Sequence, residues 1–309
     1  MPVRPRDSLE PVSHAPTEPE DRTVGLEISG SRAAAGGRQA PSGLGRVLRA
    51  FRSGAFLAVY VVHMLLTFGA VQRFVVWPLA LLWPARRRDI VGRWFRLQAH
   101  LTLAMARWLA NVRVTIRGAI EPGSCVVVMN HQSVLDIPIA YSLVRGPYPL
   151  IPTRERYRYG MPAVSPLIRM GRLPLVRQER GSARADVRSM QIAAEQVARG
   201  EQSLLIFAEG HRTRDGEIGP FMRTGMKVVL ARARRPVYCV VEDGLWHVRT
   251  FADVCLRFAD SSAEVVVLGP FEAPAGAEID AFIESLRERM VTALREMRAG
   301  RQGREGTAA

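Results

Sequence analysis

Lysine is almost missing from this chain. Lys227 is the only one, although lysine and arginine together number 43, so the formal net charge of +14 rests on arginine. A surplus of guanidinium favours anionic partners: membrane phosphates, acidic substrates or nucleic acid. A nucleic-acid-binding motif is also lacking, and away from the apolar N-terminal stretch no basic run is interleaved with aromatics, which argues for no nucleic acid. Cysteine is scarce too. Cys125, Cys239 and Cys255 lie in or beside apolar runs. Odd in number and widely spaced, they argue against a disulfide framework or a zinc site and for buried, reduced thiols in a cytoplasmic domain. There is no G-x-S-x-G nucleophile elbow, so the chain offers no serine placed for an acyl-enzyme. His131 and His211 lack a close set of partner ligands, and no metal is expected. Residues 1–50 lack any apolar period and the basic-then-apolar layout of a secretory signal; they read as a disordered polar tail.

A long apolar run is present. "GAFLAVYVVHMLLTFGAVQRFVVWPLALLWPARRR" covers residues 54–88, apolar over 54–71 apart from His63 and interrupted at Gln72-Arg73. That is about the ~20 residues a spanning helix needs. Arg46, Arg49 and Arg52 precede it and Arg86, Arg87 and Arg88 follow, so both ends are expected to face the cytoplasm, as in a hairpin or re-entrant pair. Residues 90–112 repeat Trp94, Leu97, Leu101, Met105 and Trp108 at helical steps with arginines between them. Such a helix suits an anionic headgroup layer or a stripe packed on the folded domain.

From residue 113 the pattern becomes α/β. Apolar runs at 124–129, 148–152, 202–207, 236–241, 254–258 and 264–269 read as strands, with helices at 183–199, 224–234 and 278–298. The expected fold is α/β, a mostly parallel sheet flanked by helices, with an N-terminal membrane-associated helical segment. The expected organisation is a disordered tail over 1–53, a membrane-associated region over 54–112, a folded domain over 113–300 and a flexible tail over 301–309.

Chemistry-bearing residues collect at expected strand ends, where α/β sheets place ligands. "VVVMNHQSVLDIP" ends a strand at Asn130-His131 and carries Asp136 five residues after the histidine. Five residues along a helix turn through about 500°, so the two side chains meet only if His131 precedes the helix and folds back over its first turn. Ser133 is placed to cap that helix, with Asp136 as the acidic member of a capping box. A carboxylate on one imidazole nitrogen fixes the tautomer and leaves the other as a general base. Further on, "IFAEGHRTRDGEIGPFMRTG" opens onto Glu209, Gly210 and Arg212, and "GRLPLVRQER" supplies Arg177. Arginines bind phosphate with bidentate geometry, and these strand ends are expected to share one face of the sheet.

Together these blocks resemble the glycerolipid acyltransferase family of 1-acylglycerol-3-phosphate acyltransferase type. The family's Asn-His pair with Asp five residues on matches Asn130, His131 and Asp136. Its Gly with Arg six residues later matches Gly171 and Arg177. Its Phe-Pro-Glu-Gly-Thr-Arg-Ser block matches Phe207 to Thr213, with Ala208 for Pro and His211 for Thr. Its proline-bearing fourth block matches Pro236, with Cys239 where a second proline is common. The resemblance covers roughly residues 90–245. It implies a membrane-bound O-acyltransferase with His131 and Asp136 catalytic, and Asn130, Arg177, Glu209, Gly210 and Arg212 binding substrate. It also implies a lysolipid acceptor, acyl-CoA or acyl-carrier protein as co-substrate with no other cofactor, and a place on the inner membrane with the catalytic domain in the cytoplasm. The two departures open the acceptor to alternatives such as lyso-ornithine lipid, and a non-catalytic lipid-binding scaffold is the competing class.

Overall fold

The structure, a computed structural model, describes residues 43–307 apart from positions 162, 178, 180, 249 and 250. The expected disordered tail lies outside the described residues up to position 42. Its last residues do not: helix α1 (Gly43–Met64) begins there, on Leu44, Val47, Leu48 and Phe51. It continues through a π-helical segment (Leu65–Val76) into α2 (Trp77–Leu82), so 43–82 is one helix of 40 residues. The hairpin expected inside 54–88 is therefore corrected. Pro78 sits in the first turn of α2, where its missing N–H is tolerated, and the chain reverses only after Trp83, into α3 (Arg87–Leu109).

One face of this helix is fastened to the domain. Ser53 Oγ accepts the Ala259 N–H at 2.9 Å, Arg52 pairs with Asp260 at 3.0 Å, and Phe56 packs on Phe258. Trp94 Nε1 of α3 donates to Gln72 Oε1 at 2.9 Å, and Thr67 donates to Gln98 at 3.1 Å. The opposite face exposes Leu66, Phe74, Val75, Leu82 and Trp83. Such a contiguous apolar surface marks an interaction face rather than ordinary solvent contact.

The domain follows as β1 (Arg113–Arg117), β2 (Val126–Met129), α4 (Asp136–Leu143), β3 (Pro149–Leu150), β4 (Thr153–Arg154), α5 (Val164–Gly171), β5 (Leu175–Val176), α6 (Ala183–Ala198), β6 (Ser203–Phe207), α7 (Arg223–Ala233), β7 (Val237–Asp243), α8 (Phe251–Arg257), β8 (Ser262–Phe271) and α9 (Ile279–Thr307). The main sheet has the order β1-β8-β7-β2-β6-β3 and is parallel except where β8 meets β7. It is an α/β fold with a mostly parallel sheet flanked by helices. Val126 to Met129 and the whole of β7 are buried, and each such Val or Met contributes about 1.5–3 kcal/mol relative to exposure. This central pair is the rigid base from which the site projects.

Three expectations about elements are corrected. Residues 254–258 are not a strand: Phe251–Arg257 is helix α8, packed along α1, with Asp253 and Arg257 paired one turn apart at 3.9 Å. A five-residue apolar run carries no period that separates a strand from a buried helix turn. The strand β1, with its exposed edge, was not among the expected ones. The tail expected over 301–309 continues α9 as far as Thr307.

Candidate active site

The site begins where β2 stops. Asn130 Nδ2 donates to Glu242 O and Asn130 Oδ1 accepts the Glu242 N–H, both at 2.8 Å, continuing the β2–β7 pairing through a side chain. Asn130 is 1% exposed, so its expected place among substrate contacts is corrected: both ends of its amide are used to lock the strand end. That lock sets the direction in which His131 leaves the sheet.

His131 Nδ1 lies 2.7 Å from Asp136 Oδ2. The same oxygen accepts the N–H of Gln132 at 2.7 Å and of Ser133 at 2.9 Å, while Oδ1 accepts Ser133 Oγ at 2.8 Å. The capping box expected here is corrected. The helix starts later, with Leu135 at its N-cap, so Ser133 donates to Asp136 and accepts the Leu135 N–H at 3.1 Å. Asp136 is wholly buried and every one of these partners holds its carboxylate in place. The imidazole stacks on Phe207, with ring centroids 4.0 Å apart and planes inclined by 16°. It keeps 18% exposure, and Nε2 is the nitrogen the carboxylate leaves open.

The loop after β6 closes over this pair. Ala208 is fully buried and its N–H donates to Met129 O at 3.1 Å, a bond a proline at this position could not make. Gly210 has φ +70°, in the left-handed region glycine tolerates, and this turns the chain back with Gly210 N–H on Phe207 O at 3.0 Å. Thr213 N–H then donates to His131 O at 2.8 Å. Glu209 is 3% exposed; one of its oxygens accepts the Gly219 N–H at 3.2 Å and the other has no well-formed partner among the described residues. Burial pushes its pKa up, opposed by the backbone N–H groups of Gly219 and His131 and by the two histidines. His211 and Arg212 are exposed on the same loop.

Arg177 is elsewhere. It follows β5, which pairs only with β4 in a separate two-stranded sheet, so the expectation that its strand end shares the main sheet is corrected. Before β5, Arg172 is left-handed and Pro174 O accepts the Thr153 N–H at 2.8 Å. The Arg177 guanidinium is exposed and ion-paired with Glu155, while the backbone N–H of Arg177 donates to Asp186 Oδ1 at 2.9 Å. Gly171, six residues earlier, is required by packing: a Cβ there would come within 2.9 Å of the Phe95 ring.

Several groups at the site were not singled out from sequence. Gln132 accepts the Gly244 N–H at 3.2 Å. Arg287 donates to Gly219 O at 3.0 Å, and Arg298 to Gly216 O at 2.8 Å and to buried Asp243 at 3.1 Å. Both arginines come from α9, eleven residues apart and so on one helix face, and together they hold the loop that carries the partner of Glu209. Glu242 is wholly buried, and neither carboxyl oxygen has a well-formed partner among the described residues. Burial first, then Asp136 and Asp243, push its pKa well up.

The chain is similar to known proteins. Residues 111–242 match the family model described as Acyltransferase. A 1-acyl-sn-glycerol-3-phosphate acyltransferase of Cocos nucifera is 27% identical over 179 residues, 55% of this chain and 54% of that protein, so the match spans about half the length of this curated relative. The crystal structure of the 1-acyl-sn-glycerophosphate (LPA) acyltransferase PlsC from Thermotoga maritima matches with a TM-score of 0.64 and 18% identity. The match covers 82% of this chain and 98% of that one, a likeness of fold.

Proposed function

We propose that this chain, whose residues 111–242 match the Acyltransferase family model, is a membrane-docked O-acyltransferase. It would move a fatty acyl group from acyl-CoA or acyl-carrier protein to the free hydroxyl of a lysolipid, with 1-acylglycerol 3-phosphate as the leading acceptor and phosphatidic acid as product. The observation that carries the reading is the 2.7 Å contact between His131 Nδ1 and a fully buried Asp136 beside an acidic, glycine-turned loop. A relative named for this reaction supports the acceptor class.

In this mechanism His131 Nε2 takes the proton of the acceptor hydroxyl as its oxygen attacks the thioester carbonyl. Asp136 stabilises the charge growing on the ring. The tetrahedral intermediate collapses with cleavage of the C–S bond, and the proton passes from His131 to the leaving thiolate. Glu209, with one buried oxygen still open, orients an acceptor hydroxyl or a neighbouring arginine. Arg212 binds the acceptor phosphate, and Arg177 would do so by exchanging its Glu155 partner for phosphate. The exposed face of helix 43–82 docks the enzyme on the membrane, on the cytoplasmic side of the inner membrane, where lysolipid and product reside. General-base catalysis is worth about 10²–10⁴-fold, so positioning and charge stabilisation supply the remainder.

A second reading concerns the acceptor. Of the two departures from the family block, Ala208 is fully buried and cannot touch substrate, whereas His211 is exposed beside Arg212. A different head group, as in lyso-ornithine lipid, would therefore be read at His211. The test is thiol release by the reconstituted protein with lysophosphatidic acid, lyso-ornithine lipid, lysophosphatidylglycerol or no acceptor. His131→Ala is expected to abolish transfer while the protein stays folded. Near-parental turnover by that variant would remove His131 as base; thiol release unaffected by every acceptor would indicate thioester cleavage instead.

A further inference from the structure

Between Arg52 and Arg86 the long helix carries one arginine, Arg73, in an otherwise apolar run. Its neighbours Phe74 and Val75 are among the most exposed apolar residues of that face. A guanidinium on a surface that enters a membrane is costly unless it meets an anion, which makes such a residue a site by default. No carboxylate answers it among the described residues lining its surroundings. Arg73 instead lines an open surface groove of about 340 Å³ together with Trp77, Pro78, Leu81, Pro166 and Arg169. Arg169, from α5, is held in place: Nη1 donates to Arg158 O at 3.0 Å, and its guanidinium stands 5.9 Å from the Trp77 ring centroid and 5.4 Å from that of Tyr159.

We infer that this groove is a binding site for the head-group phosphate of an anionic glycerophospholipid in the bilayer. Two guanidinium groups from different elements converge on one space, which suits the several oxygens of a phosphate. Trp77, Pro78 and Leu81 supply an apolar wall continuous with the exposed face of the helix, where the glycerol and upper acyl chains of a membrane lipid lie. A freely diffusing phosphate would gain nothing from that wall. The helix and α5 carry none of His131, Asp136 or Glu209, so the site is a docking element separate from the catalytic pair. It orients the protein on the membrane by one specific lipid contact in addition to apolar insertion. The inference rests on the membrane docking proposed above, which binding of the parent protein to neutral vesicles tests by itself.

The experiment is vesicle flotation of the full chain, with phosphatidylcholine alone, with phosphatidylglycerol added, or with oleate added to the same surface charge. The double variant Arg73→Gln/Arg169→Gln is expected to lose about thirtyfold in affinity for the phosphatidylglycerol vesicles, from two phosphate contacts of about 1 kcal/mol each. It should bind phosphatidylcholine vesicles as the parent does and lose clearly less on oleate vesicles than on phosphatidylglycerol vesicles, and Arg73→Lys/Arg169→Lys should keep much of the preference. Unchanged affinity for phosphatidylglycerol overturns the site. So does an equal loss on oleate vesicles, which means diffuse surface charge, or release by excess inorganic phosphate, which means a soluble anion. If the double variant fails to fold, exposed Arg73 alone changed to Gln decides the matter by the same readout. Binding is scored without turnover, so an absence of acyl transfer would leave this inference standing.

Discussion

Replacing Asp136 by Asn changes one atom type and removes one charge at the centre of the site. The carboxylate accepts from His131 Nδ1, two backbone N–H groups and Ser133 Oγ. An asparagine can keep its carbonyl oxygen where Oδ2 stands, so the loop and the imidazole orientation survive. Its amide nitrogen then faces Ser133 Oγ, which can turn to accept. What is lost is the anion beneath the ring. With Oδ2 at 2.7 Å from Nδ1 the charge centres lie about 4 Å apart, and at an effective dielectric of about 20 their attraction is ~4 kcal/mol for a full imidazolium. The transition state carries only part of that charge, so about 3–4 kcal/mol is forfeited. At 1.36 kcal/mol per factor of ten, kcat should fall about 10²–10³-fold. The acceptor KM should change little, because the carboxylate is buried and cannot touch substrate. The assay is thiol release at saturating donor across acceptor concentrations, with a thermal melt to verify the fold. A kcat within fivefold of the parent would refute the reasoning, since the ring would then need no anion to act as base. An intact kcat with a raised KM would refute it differently, by making Asp136 a binding residue.

The remaining predictions concern groups around that pair. Glu242→Gln tests a pH dependence. Because burial, then Asp136 and Asp243, favour its protonated form in the fold, the folded state keeps a proton that the unfolded chain loses near the ordinary value of 4.5. Parental stability should therefore fall as pH rises from that value to the folded pKa, by up to about 1.4 kcal/mol per pH unit from this group, whereas the variant lacks this component. Denaturant titrations over that range check it, and a constant gap between the two proteins would sink it. Arg298→Met removes a partner from buried Asp243 and from Gly216 O while Arg301 still pairs with Asp243 at 3.1 Å. A loss of about 1–3 kcal/mol in stability is expected, with acceptor KM raised several-fold, and a change below 0.5 kcal/mol with KM intact would exclude it as a loop holder.

What was legible from sequence was local, and what was not depended on partners distant in the chain. The His-x4-Asp spacing required His131 to precede its helix, and the contact at 2.7 Å is what that spacing permits. The parallel sheet was visible because β2, β6 and β7 are buried on both faces and read as unbroken apolar runs. Residues 254–258 misled because a short apolar run fits both a strand and one buried turn of helix. Arg177 misled because an arginine after an apolar pair says nothing about which sheet that pair joins. The hairpin expectation failed because charge at both ends of an apolar segment does not say where the chain reverses. Here Gln72, the expected break, is instead buried and bonded to Trp94 of α3.

Asn130 shows how a residue inside a recognisable motif can be misassigned by the motif itself. It stands beside His131 in sequence, which suggests contact with substrate, yet the strand pairing of β2 with β7 puts its amide on the Glu242 backbone. Its contribution is to end a strand at a fixed angle. The same division holds on the other side of the site. Glu209 is oriented by Gly219, Gly219 by Arg287, and Arg287 comes from a helix beyond the acyltransferase-family segment. A buried, partly unpartnered carboxylate needs neighbours that cannot drift, and this chain supplies them from α9. The proposed catalytic pair is therefore readable as a motif, whereas the rigidity that the pair requires is a property of the whole fold.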